Sequence, residues 1–354
     1  MNWLVNVISQ LGFLRRRSSA IMAAVFLLAL TSCAFAQSGR TAAKPSDEPE
    51  DGELIRIRTE EILVPVSIRD PSGAQVQGLT SDRFIIFDNG ERQEIASFNR
   101  ERIPANIVLL LDASGSVFSR MRFIREAAKH FLKTLLPEDK VCVMQFADDA
   151  ELLQDWTPAT NSKSLLKALD WRYHPGQATV FYDGLYLAAQ NQLSKVEGRR
   201  IVVLLTDGID TAERQRVSFS DALTAIRRSE ASVYVISLTE SLRAEISKHE
   251  RGWLGRVFGG SDRRAIAKAK SMIDEAEVRL TTLATQTGGR MFLPVNEEDL
   301  LPAYAAIAEE LRSQYVITYK PKKRAASGEY RQIKVLVTPG GFEVATRDGY
   351  VGRG

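Results

Sequence analysis

Two stretches of this chain, Ile107-Val108-Leu109-Leu110-Leu111 and Ile201-Val202-Val203-Leu204-Leu205, run five apolar residues without a polar break. A strand with one wet face alternates; a run with no polar face has to be covered on both sides, as parallel strands are when helices flank them. Val141 to Phe146 and Val233 to Ile236 repeat the signal. Between them lie segments with apolar residues at helical spacing. The clearest runs from Met121 to Leu136, with Phe123, Ile124, Ala127, Ala128, Phe131, Leu132 and Leu135 on one stripe and Pro137 as its stop. Shorter helical segments are predicted near Leu165–Leu169, Asp183–Leu193 and Phe219–Ser229. Strands alternating with helices predict an α/β fold built on a doubly wound, mostly parallel sheet.

The rhythm differs on either side. From Leu54 to Phe98 the pattern is that of strands: Ile62–Ile68, a turn at Asp70-Pro71-Ser72-Gly73, Phe84–Phe87, and a hairpin signal at Asp88-Asn89-Gly90 with Glu94–Phe98 as the returning strand. Strands return at Tyr315–Tyr319, Ile333–Val337 and Phe342–Ala345. The two segments can pair into one small β module with the α/β domain inserted between them. Within the α/β region, 241–273 breaks the pattern. Its Arg, Lys and Glu residues suit either a solvated helical excursion or a basic surface for an acidic partner. A helix ending at Gly288-Gly289, a strand at Met291–Leu293 and a helix over Leu300–Leu311 follow. The expected layout is an address over 1–36, a spacer over 37–52, a β segment over 53–103, the α/β domain over 104–313 and a second β segment over 314–354.

At 354 residues there is room for two or three domains of ~150 residues. Lys and Arg number 47 against 44 Asp and Glu, but Arg15, Arg16 and Arg17 fall in an acid-free leader. Without those three the body carries 44 of each sign and has no general attraction for nucleic acid or anionic membrane. Lys320–Arg324 therefore reads as a solvated loop. The leader has a basic region and an apolar run, Ala20–Leu30, of signal-peptide length. Ala34-Phe35-Ala36 offers an ordinary signal peptidase site, whereas Leu30-Thr31-Ser32-Cys33 resembles a bacterial lipobox with Cys33 as the lipidated residue. Either route, or an uncleaved anchor, places the body outside the cytoplasm, in the periplasm, cell envelope or medium. Two cysteines and three histidines support neither a disulfide framework nor a zinc cluster.

Asp112-Ala113-Ser114-Gly115-Ser116 directly follows the first buried strand, and Thr206-Asp207-Gly208 follows the second. Gly176-Gln177-Ala178-Thr179 is a loop between them, ahead of a helix. Ligands of doubly wound sheets bind at strand carboxyl ends near the switch point, so the three loops are expected at one edge. Asp112, Ser114, Ser116, Thr179 and Asp207 would bring five oxygens, two of them from carboxylates, around one point. Hard oxygen donors suit Mg²⁺, Mn²⁺ or Ca²⁺ and not zinc or copper.

On these three motifs the chain resembles the von Willebrand factor type A domain, with its metal-ion-dependent adhesion site, over roughly residues 105–311. The flanking strands, with Val64-Pro65-Val66, Gly78-Leu79, Tyr315–Pro321 and Gly349-Tyr350, look like bacterial envelope proteins of the VWFA-related type. The resemblance implies that the hydroxyls of Ser114, Ser116 and Thr179 ligate the metal, with Asp112 and Asp207 held mostly through water. It implies a protein partner that supplies an Asp or Glu carboxylate to the open position. The 241–273 insertion departs from the common pattern.

Three functions compete. The first is an exported, non-enzymatic binding module that grips a protein through a metal-bridged carboxylate. The second is a structural envelope protein whose metal stabilises the fold. The third is a metal-dependent hydrolase, with Asp183 or Asp210 as base. The chain has no Gly-x-Ser-x-Gly elbow, Walker loop or His-Glu-x-x-His motif. No catalytic residue is assigned.

Overall fold

A computed structural model describes residues 61–100, 103–210, 216–251 and 261–352. The leader, Cys33 and the spacer lie outside these residues, as does the first part of the 53–103 segment.

The α/β region is a six-stranded sheet, ordered β10-β9-β8-β5-β6-β7. Its strands are β5 (Ala105–Asp112), β6 (Lys140–Phe146), β7 (Ala150–Pro158), β8 (Arg199–Thr206), β9 (Ser232–Ser237) and β10 (Met291–Phe292). All pairings are parallel except β6 with β7. The apolar runs are the two central strands, β5 and β8, buried throughout but for Asn106 and Arg200. Because both faces are covered, Ile107, Leu109 and Leu111 feed one core while Val108 and Leu110 feed the other. The helices on the first face are α1 (Met121–Thr134), α2 (Ser162–Trp171) and α7 (Leu300–Ser313). On the second are α3 (Phe181–Leu187), α4 (Phe219–Ser229) and the later part of α6 (Ser261–Gln286). Strand β7 had no clear sequence signal. It is an antiparallel edge in which only Leu153 and Thr157 are buried, with Glu151 and Asp155 exposed and Gln154 half-buried.

Two four-stranded sheets flank this domain, ordered β13-β1-β11-β4 and β14-β12-β2-β3. They comprise β1 (Ile62–Arg69), β2 (Phe84–Asp88), β3 (Glu91–Gln93), β4 (Ile95–Asn99), β11 (Tyr315–Tyr319), β12 (Tyr330–Val337), β13 (Glu343–Ala345) and β14 (Gly349–Val351). N-terminal β1 pairs with C-terminal β11 and β13, and β2 pairs with β12, so the two segments interleave around one core. The returning strand of the Asn-Gly hairpin is Glu91–Gln93, not Glu94–Phe98. Asn89 and Gly90 both take positive φ and reverse the chain at once. Residues Ile95–Asn99 then cross to the other sheet and pair with β11.

The β sheets meet the α/β sheet at the amino ends of its strands. Glu310 of α7 accepts hydrogen bonds from Ser67, Arg69 and Tyr234. Gln314 donates to Ser67 and Tyr234 and accepts from Arg199 at the start of β8. All six side chains are buried. The eight-residue β5 spans about 25 Å. Its carboxyl end therefore faces away from this junction.

Residues 241–273 are helical where described. Helix α5 (Thr239–Arg251) pairs with the first part of α6 around Leu242, Ile246 and Ile273. Within the hairpin Arg243 meets Glu240, Asp274 and Glu277.

Candidate metal centre

The sheet order reverses at β5, with β6 on one side and β8 on the other, so a crevice opens at the carboxyl ends of β5 and β8. Asp112 is the last residue of β5 and Asp207 follows β8; both are fully buried. The Asp112 side chain bends its own loop: Oδ1 accepts from the Ser114 amide at 2.9 Å. Its Oδ2 accepts from the Thr206 hydroxyl at 2.7 Å, and that oxygen accepts in turn from the Gly208 amide at 2.9 Å. Asp207 Oδ1 accepts from the Ile209 amide at 3.0 Å. Ser114 and Ser116 hydroxyl oxygens stand 2.9 Å apart, and Ser116 also lies against the Asp207 carboxylate.

The loop carrying Thr179 docks onto the Asp112 loop. The Gly176 amide donates to the Ala113 carbonyl at 2.8 Å, and a Cβ on Gly115 would come within 3.3 Å of the Gln177 carbonyl. Asp148 accepts from the Gln177 and Ala178 amides and fixes the loop from the other side. Thr179 is buried on this loop. Asp112, Ser114, Ser116 and Asp207 thus meet through their side chains, and Thr179 is brought to the same edge by backbone contacts. Asp183, in the first turn of α3, and Asp210, which accepts from the Tyr182 amide at 3.4 Å, lie outside this set.

The electrostatics are those of a site short of positive charge. Burial, and then the Asp207 carboxylate, push the Asp112 carboxyl up to about 7. Burial also raises Asp207, against the opposing effects of Ser116, the Ile209 amide and Arg120. Asp207 Oδ2 is buried and has no hydrogen-bond partner. Two facing carboxylates, one with an orphaned oxygen, beside hydroxyls that can turn their lone pairs inward fit a hard divalent cation. Among the described residues no three His, Cys, Asp or Glu side chains converge on a point that could hold a metal. The donor set here joins two carboxylates to hydroxyls instead.

Four residues that support the site carry no sequence signal of that role. Thr206 was visible only as the neighbour of Asp207. Tyr173 donates its hydroxyl to the Asp112 carbonyl at 2.5 Å from a position 61 residues away. Asp148 looks like any loop carboxylate. Arg120, at the end of the 3₁₀ turn after Ser114, is bound to Glu245 of α5.

The family model of the von Willebrand factor type A domain matches residues 106–269. No curated protein sequence matches. Among solved structures, the PilB minor pilin from Streptococcus sanguinis is 15% identical with a TM-score of 0.41; the match covers 61% of this chain and 63% of the pilin, less than two thirds of it. A von Willebrand factor type A protein from Catenulispora acidiphila is 13% identical with a TM-score of 0.44, over 78% of this chain and 76% of that one. An aerotolerance-related membrane protein from Bacteroides fragilis is 17% identical with a TM-score of 0.39, over 58% of this chain and 98% of that one. Over residues 106–269 the chain is thus similar to the von Willebrand factor type A domain.

Proposed function

We propose that the protein is an exported, non-catalytic binding module that holds one divalent cation at the carboxyl edge of its central sheet and uses it to grip a carboxylate of a protein partner. The supporting observation is the buried, unpartnered Asp207 Oδ2 beside Asp112. Asp112, Ser114, Ser116, Thr179 and Asp207 would hold the cation, Mg²⁺ before Mn²⁺ or Ca²⁺. A bound cation supplies an electrophilic position for one carboxylate oxygen of an Asp or Glu. The residues of the chain do the rest. Thr206 and the Ser114 amide fix the Asp112 carboxylate, and Asp148 holds the Thr179 loop. The site faces away from the β sheets.

Export rests on the sequence of residues 1–36, with Cys33 as the candidate lipidation site. Among the described residues no helix is long and apolar enough to cross a membrane. Labelling with a tagged fatty acid, lost in Cys33→Ala, would support the lipoprotein route. Label-free wild type would leave ordinary cleavage after Ala36 or an uncleaved anchor.

Isothermal titration of the protein with MgCl₂ and MnCl₂, beside Asp207→Asn, tests the central claim. One saturable site, lost in the variant, is expected. No saturable binding by wild type, or equal binding by the variant, overturns the site. Cation-dependent capture of a protein partner separates the binding module from a purely structural role, in which the cation raises the melting temperature and recruits nothing.

A further inference from the structure

Two large aromatic side chains stand in water beside the candidate centre. Phe118 is 62% exposed and Trp171 76% exposed. Phe118 lies on the 3₁₀ turn Gly115–Arg120, which starts right after Ser114 and includes Ser116. Trp171 ends α2, two residues before Tyr173, whose hydroxyl donates to the Asp112 carbonyl at 2.5 Å. The His174 amide donates to Gln145 Oε1 at 3.1 Å, near the carboxyl end of β6, so this segment follows the sheet edge that carries the centre. Arg125 of α1 joins the two stretches by donating to the Tyr173 carbonyl at 3.2 Å. Phe123, in the first turn of α1, is a third exposed aromatic residue.

The same stretches carry unmatched positive charge. Arg122 lies over the Phe123 ring at 5.4 Å and Arg125 over the Tyr173 ring at 5.8 Å, while Arg172 donates to the Leu152 and Leu153 carbonyls. Among the described residues none of these three arginines has an ion-pair partner, and the nearby carboxylates of Glu126 and Asp170 are both held by Lys129. Elsewhere Arg69, Arg243, Arg331 and Arg347 each meet a carboxylate. Ring faces and carbonyls hold a guanidinium in place without cancelling its charge. On the other face of the sheet, beside α3, the edge carries Asp183 and Asp210 instead.

We propose that Phe118, Phe123 and Trp171, with Arg122, Arg125 and Arg172, form the docking surface for an acidic segment of a protein partner that carries apolar side chains beside its carboxylate. The surface is drawn from α1, α2 and their loops; its use beside a bound cation rests on the metal-site reading above. Aromatic side chains next to arginines are the residue types that anchor protein interfaces. The unmatched guanidiniums select negative charge and steer it to this side of the centre. A long polyanion is disfavoured by Asp183 and Asp210 on the other side and by a body with as many acidic as basic residues.

Panning a phage-displayed library of random dodecapeptides on the protein in MgCl₂, then measuring the selected peptides by fluorescence polarisation, tests this. Peptides with an Asp or Glu beside aromatic or aliphatic residues are expected. Phe118→Ser and Trp171→Ser should each weaken their binding by about tenfold. Arg122→Glu should weaken it several-fold and make it less dependent on salt. All three side chains are exposed, so the variants keep the fold, and melting in chelator checks this. No selected peptide, peptides without acidic residues, or equal binding by the variants overturns the inference; in the last case, loss of binding in chelator and in Asp207→Asn leaves the metal-site reading standing. Binding that needs Phe118 and Trp171 but survives both chelator and Asp207→Asn upholds the surface and overturns the metal-site reading alone. A labelled oligothymidylate that binds wild type and not Arg122→Glu assigns the surface to nucleic acid, and a dimer in sedimentation that Trp171→Ser abolishes assigns it to a second copy; either result overturns the inference.

Discussion

Asp112→Asn should stabilise the cation-free protein, although it alters a residue at the heart of the site. Burial and the Asp207 charge move the Asp112 carboxyl from its ordinary value of 3.8 to about 7. At about 1.4 kcal/mol per pH unit, ionising it inside the fold costs about 4 kcal/mol at pH 8. Between those two values the folded chain keeps a proton that the unfolded chain has lost. Stability therefore falls as pH rises through this window, and the penalty is complete above it. Asparagine removes the charge and keeps the acceptor for the Ser114 amide. It turns an amide toward the Thr206 hydroxyl, which now donates to Asp112 and would lose that acceptor, at a cost of about 1–2 kcal/mol. The net gain in chelator at pH 8 is about 2–3 kcal/mol, or roughly 5 °C in melting temperature for a chain of this size. At pH 5.5 the wild-type penalty is about 2 kcal/mol and the gain nearly vanishes. Saturating Mg²⁺ should reverse the order, since the cation stabilises wild type and not the variant. Differential scanning calorimetry at the two pH values, with chelator and with MgCl₂, reads all of this. A variant that melts below wild type in chelator at pH 8, or a gain that does not grow with pH, refutes the reasoning.

Other consequences can be checked on the same protein. Gly208→Ala places a Cβ at φ +72° and against Leu280, and should cost roughly 1–3 kcal/mol by urea denaturation; adding Leu280→Ala should not rescue it, because the backbone strain remains. Glu310→Ala leaves the buried Arg69 guanidinium without its main partner at the junction of α7 and β1, and should cost about 3–5 kcal/mol, read as a lower denaturation midpoint. Cys142 is buried on β6 and its thiol is pushed up to about 12, chiefly by burial. In a Cys33→Ser background it should resist a thiol reagent at pH 8 until the protein is unfolded, and rapid labelling of the native chain would contradict the packing.

The buried pair at the candidate centre and the buried network at the far end of the sheet contrast in their chemistry. At the junction, Glu310 meets Ser67, Arg69 and Tyr234, so its charge is matched by donors. Asp88 in the β sheets is equally well served, by Arg331, Tyr319 and Tyr350. Asp112 and Asp207 face each other with one oxygen orphaned. Among the described residues Glu310 and Asp88 thus receive donors on both oxygens, whereas Asp207 keeps one buried oxygen without a hydrogen-bond partner, as does Asp348 beyond the centre.

Much of the architecture was legible in the sequence because a strand covered on both faces admits no polar residue, and this composition constraint is local. Ile107–Leu111 and Ile201–Leu205 named the two central strands, and the motifs directly after them named the sheet edge where Asp112 and Asp207 meet. The Asn89-Gly90 turn was legible for a similar reason, since positive φ is a property of single residues. Its strand partner was misplaced by three residues, because pairing depends on where the chain next finds a sheet and not on the turn alone. Strand β7 was missed because an edge strand may carry polar residues on its open side. The support of the site came only with the tertiary structure. Tyr173 under the Asp112 loop, Asp148 behind the Thr179 loop and Glu245 on Arg120 are separated from their partners by 61, about 30 and 125 residues. Nothing in the local pattern links residues so far apart. The sequence could therefore determine which oxygens stand at the ends of the central strands, because strand burial and loop chemistry are written locally. Whether their charges are left unmatched depends on what packs around them, and only the folded chain decides that.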